Sequence, residues 1–307
     1  MQLGDAPPGL YRDEAYNGLD ALAVLAGDRQ GDSPFYFAAN NGREPLYIYL
    51  TAASVALFGR SPAAVRLPAG VIGALATVPV YLLARSWFGR PAGLLAAGLW
   101  AVTLWPVHLS RIGLRAILLP PVLALAFWLG TLAVRRGRDG APAWGLWLAA
   151  GAVYGLSFYT YLAARFTPLL LLALALYLLA TGRRRWLWPG GLAFLLAAGA
   201  VICPLALLAI QQPELVIGRA GQVSILNPDM RQGPLLSALA GNSLKAAGMF
   251  LVRGDAIVRH NPPGRPVFDL FMALPFLAGL VWCARAWRRP AASCRGSRAG
   301  SATTTAR

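Results

Sequence analysis

Two carboxylates stand side by side in the stretch YRDEAYNGLD: Asp13 and Glu14. The chain around them is 57% hydrophobic and holds 12 acidic residues against 28 Lys plus Arg. Seven of the twelve precede residue 45: Asp5, Asp13, Glu14, Asp20, Asp28, Asp32 and Glu44. The ordinary reading of Asp13-Glu14 is a helix start, with Asp as N-cap and Glu in the first turn. The chemical reading draws on Glu44, at the opposite edge of the same loop. Carboxylates flanking a cavity at the membrane surface can orient and deprotonate a hydroxyl nucleophile. Glu44 has an ordinary reading of its own, since Arg43-Glu44-Pro45 suits a helix start favoured by the helix dipole.

The cations that could face them are arginines. Arg111 and Arg115, in SRIGLRAILLPP, are spaced i and i+4, which predicts a shared helix face. Arginines near span ends commonly snorkel to the interface, but a pair on one face can also grip a phosphate. Arg165 stands alone in the apolar stretch FYTYLAARFTPLL, with Tyr159 and Tyr161 nearby. A lone Arg between spans is a candidate for function, and the tyrosines suit an interface belt. Arg259-His260 is a further phosphate candidate beside the ordinary reading of a surface histidine. His108 and His260 are the only histidines, so a His-rich metal site is excluded. Cys203, Cys283 and Cys294 have neither disulfide nor zinc spacing. No P-loop, H-E-x-x-H or G-x-S-x-G pattern occurs. A nucleotide energy source is therefore unsupported, and an activated donor already in the membrane fits better.

These residues need elements to hold them. Only 13% of residues are charged, where a soluble domain has about 25%. The apolar excess comes in long runs, which predicts an all-α, polytopic transmembrane helical bundle with interfacial helices in the first outer loop. The net charge of +16 is not a nucleic-acid footprint, because the arginines cluster between apolar runs. Residues 1–65 form the first outer loop. It carries the acidic pair, a short helix near Glu14–Ala26 with Ala15, Leu19, Leu22 and Ala26 on its apolar face, and an apolar helix at 44–59. The latter is roughly 24 Å long, short of a roughly 30 Å hydrocarbon core, so it is placed at the interface. A six-span core follows at 66–209, then an outer loop at 210–266 with an interfacial helix, a last span at 267–287 and a disordered tail at 288–307. One set of loops between spans carries eleven arginines and the alternate set five. The positive-inside rule makes the first set cytoplasmic. The acidic loop, HLSRIGLR, Arg165 and 210–265 then share the outer face of a multi-pass plasma (inner) membrane protein.

Four stretches in this order resemble the GT-C class of membrane glycosyltransferases: YRDEAYNGLDA, GREPLYIYLTAASVALFGRSPAAVRLPAGVIGALATVPVYLLAR, SRIGLRAILLP and GLSFYTYLAARFTPLLLL. More specifically they look like the family 39-type enzymes: protein O-mannosyltransferases, aminoarabinose transferases and RgtA/B/C/D-like bacterial proteins. The resemblance covers about residues 10–270 and implies a GT-C-like bundle, a polyprenyl-phosphate sugar donor and inversion at the anomeric centre. It implies that Asp13 is the catalytic base or acceptor-orienting residue of the acidic pair, and that Glu44-Pro45 is the loop's far end. Members normally have a span before the acidic loop and often a longer C-terminus. The first reading is therefore an inverting glycosyltransferase, conceivably truncated. It moves a sugar from the lipid-phosphate donor to a hydroxyl of a lipid, glycan or protein. Asp13 and Glu14 are then catalytic, Glu14 and Glu44 orient the acceptor or a divalent cation, and Arg111, Arg115, Arg165, Arg259 and His260 bind substrate. No resident metal is assigned. The competing readings are a transporter or flippase of a lipid-linked sugar and an inactive membrane relic. A transporter calls for intramembrane carboxylates and repeat symmetry, and the spans have almost no acidic residues.

Overall fold

A computed structural model describes residues 3–5, 7–28, 33–181, 190–218, 221, 224–225, 227–230, 233–257 and 261–285. Arg183–Arg185, Arg259, His260 and the tail 288–307 lie outside the described residues. The architecture is helical, with two isolated β-bridges in the first loop, Ser33 with Tyr36 and Phe37 with Arg43. In chain order the helices are α1 (Arg12–Ala26), α2 (Leu46–Phe58), α3 (Pro62–Leu75), α4 (Thr77–Phe88), α5 (Arg90–Val102), α6 (Leu104–Arg111), α7 (Leu119–Arg138), α8 (Trp144–Leu156), α9 (Thr167–Ala180), α10 (Gly190–Gln211), the single turn α11 (Pro213–Val216), α12 (Leu235–Gly248) and α13 (Leu270–Arg285).

Among the described residues, four helical stretches are long and apolar enough to cross a membrane: Pro62–Phe88, Arg115–Arg138, Leu162–Ala180 and Gly190–Gln211. The pair α5 and α6, bent by 51°, makes a fifth if it counts as one broken span. Within the expected six-span core, the apolar run 143–162 is α8 for 13 residues and then tightens into 3-10 turns. Hydroxyls explain the change. Ser157 bonds back to the Tyr154 carbonyl at 2.6 Å and Thr160 to the Ser157 carbonyl at 2.5 Å. Such side-chain bonds compete with the regular helical ladder. α2 has 13 residues, about 20 Å of helix, and is too short to span unless the bilayer thins around it.

Small residues let the long helices touch. Gly151 and Gly155 sit one turn apart on α8, and α10 lies directly on them. A Cβ at Gly151 would fall onto the Phe194 carbonyl, and one at Gly155 would come within 2.8 Å of the Ala198 carbonyl. In lipid no hydrophobic force drives helices together, so close backbone packing of this small-xxx-small kind carries the association. Tyr154, between the two glycines, meets the Phe194 ring at 5.4 Å. The opposite surfaces, such as Leu169, Leu170 and Leu172 on α9 and Leu195 and Leu196 on α10, are exposed as a lipid-facing surface would be.

The order of the helices sorts their ends. The N-termini of α3 and of the stretch Arg115–Arg138, the C-terminus of α6, the 3-10 turns at 157–166 and the C-terminus of α10 gather at one end of the bundle, together with α1 and α2. The residues singled out for chemistry lie at that end wherever they are described. Gly151→Val is expected to destabilise the chain by about 1–3 kcal/mol through overpacking. Gly145→Val, where an added Cβ meets nothing, should cost far less. Thermal unfolding of the two variants in detergent checks this.

Candidate active site

α1 begins at Arg12, with Tyr11 as the residue before it. Asp13 is thus inside the first turn and not at the cap. Glu14 performs the local capping, since the Tyr11 amide donates to Glu14 Oε2 at 2.8 Å. The same carboxylate is 0% exposed and binds far along the chain. It accepts from Arg66 Nε at 2.7 Å and Nη2 at 3.1 Å, and from the Gly113 amide at 2.8 Å. Arg66, also 0% exposed, donates its remaining N–H groups to the carbonyls of Leu3 (2.9 Å), Pro7 (2.8 Å) and Gly9. Both charges are thereby satisfied, as burial requires.

This arrangement departs from the expected orientation of α1, although Leu22 of the expected apolar face does pack on Val55, Ala64 and Val65. Its polar face is buried, with Glu14, Asn17 and Asp20 inside, while Leu19 is 60% exposed. The reason is the supply of guanidinium groups beneath it. Arg43 Nη1 donates to Asn17 Oδ1 at 3.0 Å, and its Nη2 to the Asp20 carboxylate. Asn17 in turn donates to the Gly113 carbonyl at 2.8 Å.

Asp13 is half-buried on the next face. Asn40 Nδ2 donates to its Oδ1 at 2.7 Å. Asn40 can reach it because Asn40, Asn41 and Gly42 take successive left-handed conformations, with φ of 52°, 64° and 84°. Asn and Gly tolerate that region best. The bridge between Phe37 and Arg43 closes the turn, and a Cβ at Gly42 would lie 2.6 Å from the Tyr36 hydroxyl.

Glu44 was read as an acceptor-orienting group at the surface. The structure instead buries it, 1% exposed, between two arginines. Its Oε2 is 2.9 Å from Arg115 Nε, and its Oε1 is 3.6 Å from Arg165 Nη2. Neither Glu44 Oε2 nor Arg115 Nε makes a hydrogen bond, so the 2.9 Å contact is an ion pair with poor alignment. Arg165 also donates to the Val216 carbonyl at 2.5 Å and to the Tyr36 hydroxyl at 3.4 Å. The guanidinium of Arg165 lies 5.7 Å from the Tyr36 ring centroid, and that of Arg115 lies 5.8 Å from the Tyr161 ring centroid. Burial, and after it the Glu44 carboxylate, raise the Tyr36 phenol above its ordinary value, so it stays a neutral hydroxyl.

Arg111 and Arg115 do not share a helix face. α6 ends at Arg111, Ile112 and Leu114 are extended, and Arg115 opens a 3-10 turn. Arg111 is exposed and Arg115 buried. Arg259 and His260 lie outside the described residues. The carboxylates offered to a divalent cation do not fit one, because Glu14 and Glu44 are each matched to arginine. Among the described residues no three His, Cys, Asp or Glu side chains converge. A cavity of about 290 Å³ opens beside Glu14, Arg66, Tyr11 and His108, bordered by neither Asp13 nor Glu44. Four contributors escaped the sequence reading: Asn40, Arg43, Arg66 and Tyr36. The sequence NNGR, Asn40 to Arg43, is a turn pattern that places Asn40 beside a reversal of the chain. Arg66 enters only the count of loop arginines, and Arg43 only the helix start at Arg43-Glu44-Pro45.

Residues 42–209 match the family described as dolichyl-phosphate-mannose-protein mannosyltransferase, over half of the chain. The chain belongs to this mannosyltransferase family. Two solved structures of ArnT from Cupriavidus metallidurans share the fold, one apo and one bound to undecaprenyl phosphate. Their TM-scores are 0.50 and 0.51, at 20% and 21% identity, over 77% and 78% of this chain. Taken with the family match, the shared fold makes this a GT-C-type helical bundle, and the family and the apolar helices together make the chain an integral membrane protein. The chain spans less than half the length of ArnT, 44% and 46%. No curated protein matches it.

For this member of the mannosyltransferase family, Glu14→Gln is expected to cost about 3–5 kcal/mol, because it leaves a buried guanidinium unpaired. Glu14→Gln combined with Arg66→Met should recover part of that loss. Denaturation of the single and double variants in detergent measures the difference.

Proposed function

We propose that the chain carries the catalytic end of an inverting glycosyltransferase. It would transfer a sugar from a polyprenyl-phosphate donor to a hydroxyl acceptor on the outer face of the plasma (inner) membrane. The carrying observation is how the three carboxylates differ. Glu14 and Glu44 are buried against arginines, whereas Asp13 is half-exposed and held by the Asn40 amide. Asp13 is therefore the group suited to act as base, and Glu14 the group that fixes the helix carrying it.

In this reading the acceptor O–H gives its proton to Asp13 and the oxygen attacks the anomeric carbon. The bond from that carbon to the phosphate oxygen breaks on the opposite side. The bonding pair leaves with the phosphate, which becomes a phosphomonoester. Phosphate is a stable anion, so no general acid is needed. This differs from glycosidases, which protonate a departing sugar oxygen. Arg115 and Arg165 are the cations placed to receive the growing negative charge. Three of the five arginines counted on this face, Arg66, Arg115 and Arg165, are paired with carboxylates.

Asp13→Asn should lower transfer from labelled polyprenyl-phosphate sugar by about 10²–10⁴-fold, the usual contribution of a general base. Binding of the lipid phosphate should survive. Transfer at the wild-type rate by Asp13→Asn would reject the role. Asn40→Ala should lower turnover by a smaller factor in the same assay, since it removes the group that orients the carboxylate.

A further inference from the structure

The site formed by Glu44, Arg115 and Arg165 contains one negative and two positive groups. The charged groups on adjoining elements are paired with one another or, like Glu214 beside Val216, exposed to solvent. Arg43 is committed to Asp20, and Arg66 to Glu14. Tyr36, which faces Arg165, stays neutral, and Tyr161 presents its ring to Arg115. The described site therefore carries a formal charge of +1. Its ion pairs are also incomplete, since Glu44 Oε2 and Arg115 Nε lack hydrogen bonds although both are buried. A buried site of this kind is stabilised by one more negative charge and strained by two.

A glycosyl transfer from a lipid phosphate changes that number. The donor is a phosphodiester and carries one negative charge at every pH near neutrality. The product is a phosphomonoester whose second proton leaves with a pKa of about 6, so it carries nearly two. We propose that Glu44 is a charge-setting residue, which holds the arginine pair at +1 so that the site accepts a phosphodiester monoanion and disfavours the phosphomonoester dianion formed by transfer. This rests on the phosphate-site reading given above. Without Glu44 the two arginines would sum to +2, match the dianion, and retain the spent lipid. With it, each turnover converts a matched ligand into a mismatched one, which favours release. The same sum disfavours lipids linked through a diphosphate.

The test compares two probes on the full chain in detergent: a polyprenyl phosphate and its methyl phosphodiester. Affinities are measured between about pH 5 and about pH 8. For the wild type, the monoester should bind no tighter, or more weakly, as pH rises through about 6. For Glu44→Gln it should bind about tenfold tighter or more over the same range. Diester affinity should stay flat with pH in both. Glu44→Gln with Arg115→Gln returns the sum to +1 and should restore the wild-type profile, which also controls for a folding defect in the single variant. An equal loss of affinity for both probes at all pH values in Glu44→Gln would overturn the proposal and leave Glu44 as a mere tether for the arginines. So would a double variant that keeps the profile of Glu44→Gln. A wild type that binds neither probe would reject the phosphate site itself.

Discussion

Arg66 and Glu14 are charged, wholly buried and separated by 52 residues of chain. Removing such charges from water carries a penalty of several kcal/mol each before anything is gained. They are tolerable only if every donor and acceptor is met. Arg66 meets this condition by collecting three carbonyls of the N-terminal segment in addition to the carboxylate. Glu14 meets it by collecting the Gly113 amide. One ion pair therefore binds the N-terminal segment, α1, α3 and the 112–114 linker into one unit. The net stabilisation from such a pair is modest. Its main consequence is geometric, because an unsatisfied arrangement is so costly that few alternatives compete.

The rest of this end of the bundle repeats the device with other partners. Arg43 ties α1 to the turn at Asn40–Gly42, and Glu44, one residue later, ties the same strand of loop to Arg115 and Arg165. Irregular backbone of this extent is tolerated near a membrane only when its polar groups are met within the protein. The helices beneath need no such accounting, since their backbone bonds close internally. They associate through glycine contacts such as those of α8 on α10. The molecule thus divides into a bundle held by close packing and a polar end held by charge.

That division decides what could be read from the sequence. Long apolar runs announce helices whatever their neighbours do, so the bundle and its class were legible, as were the turn at NNGR and the short α2. Ser157 and Thr160 gave a local cue to the 3-10 turns, but an apolar run outweighed it. The orientation of α1 was not legible. Periodicity assigns Leu19 and Leu22 inward; Leu22 does pack on Val55, Ala64 and Val65, but the arrival of Arg43 and Arg66 from other elements draws Glu14, Asn17 and Asp20 in and leaves Leu19 exposed. The spacing of Arg111 and Arg115 misled for a related reason. An i, i+4 face exists only if the helix continues, and Gly113, drawn in by Glu14 and Asn17, ends it. Pairings over 52 or 96 residues leave no trace in local pattern.

Gly113 also links the two halves of the site. Its amide is fixed by Glu14 and its carbonyl by Asn17, both on α1. Asp13 precedes Glu14 on the same helix, and Arg115 follows Gly113 by two residues on a linker with extended Ile112 and Leu114. The carboxylate proposed as base and the guanidinium proposed to hold a phosphate are thus both registered to one buried carboxylate. A transfer reaction needs its nucleophile and leaving group held in a fixed relation, and displacements near 1 Å are costly. On a surface of loops this relation would drift. Burying Glu14, with Leu19 left exposed in consequence, gives both sides the same origin.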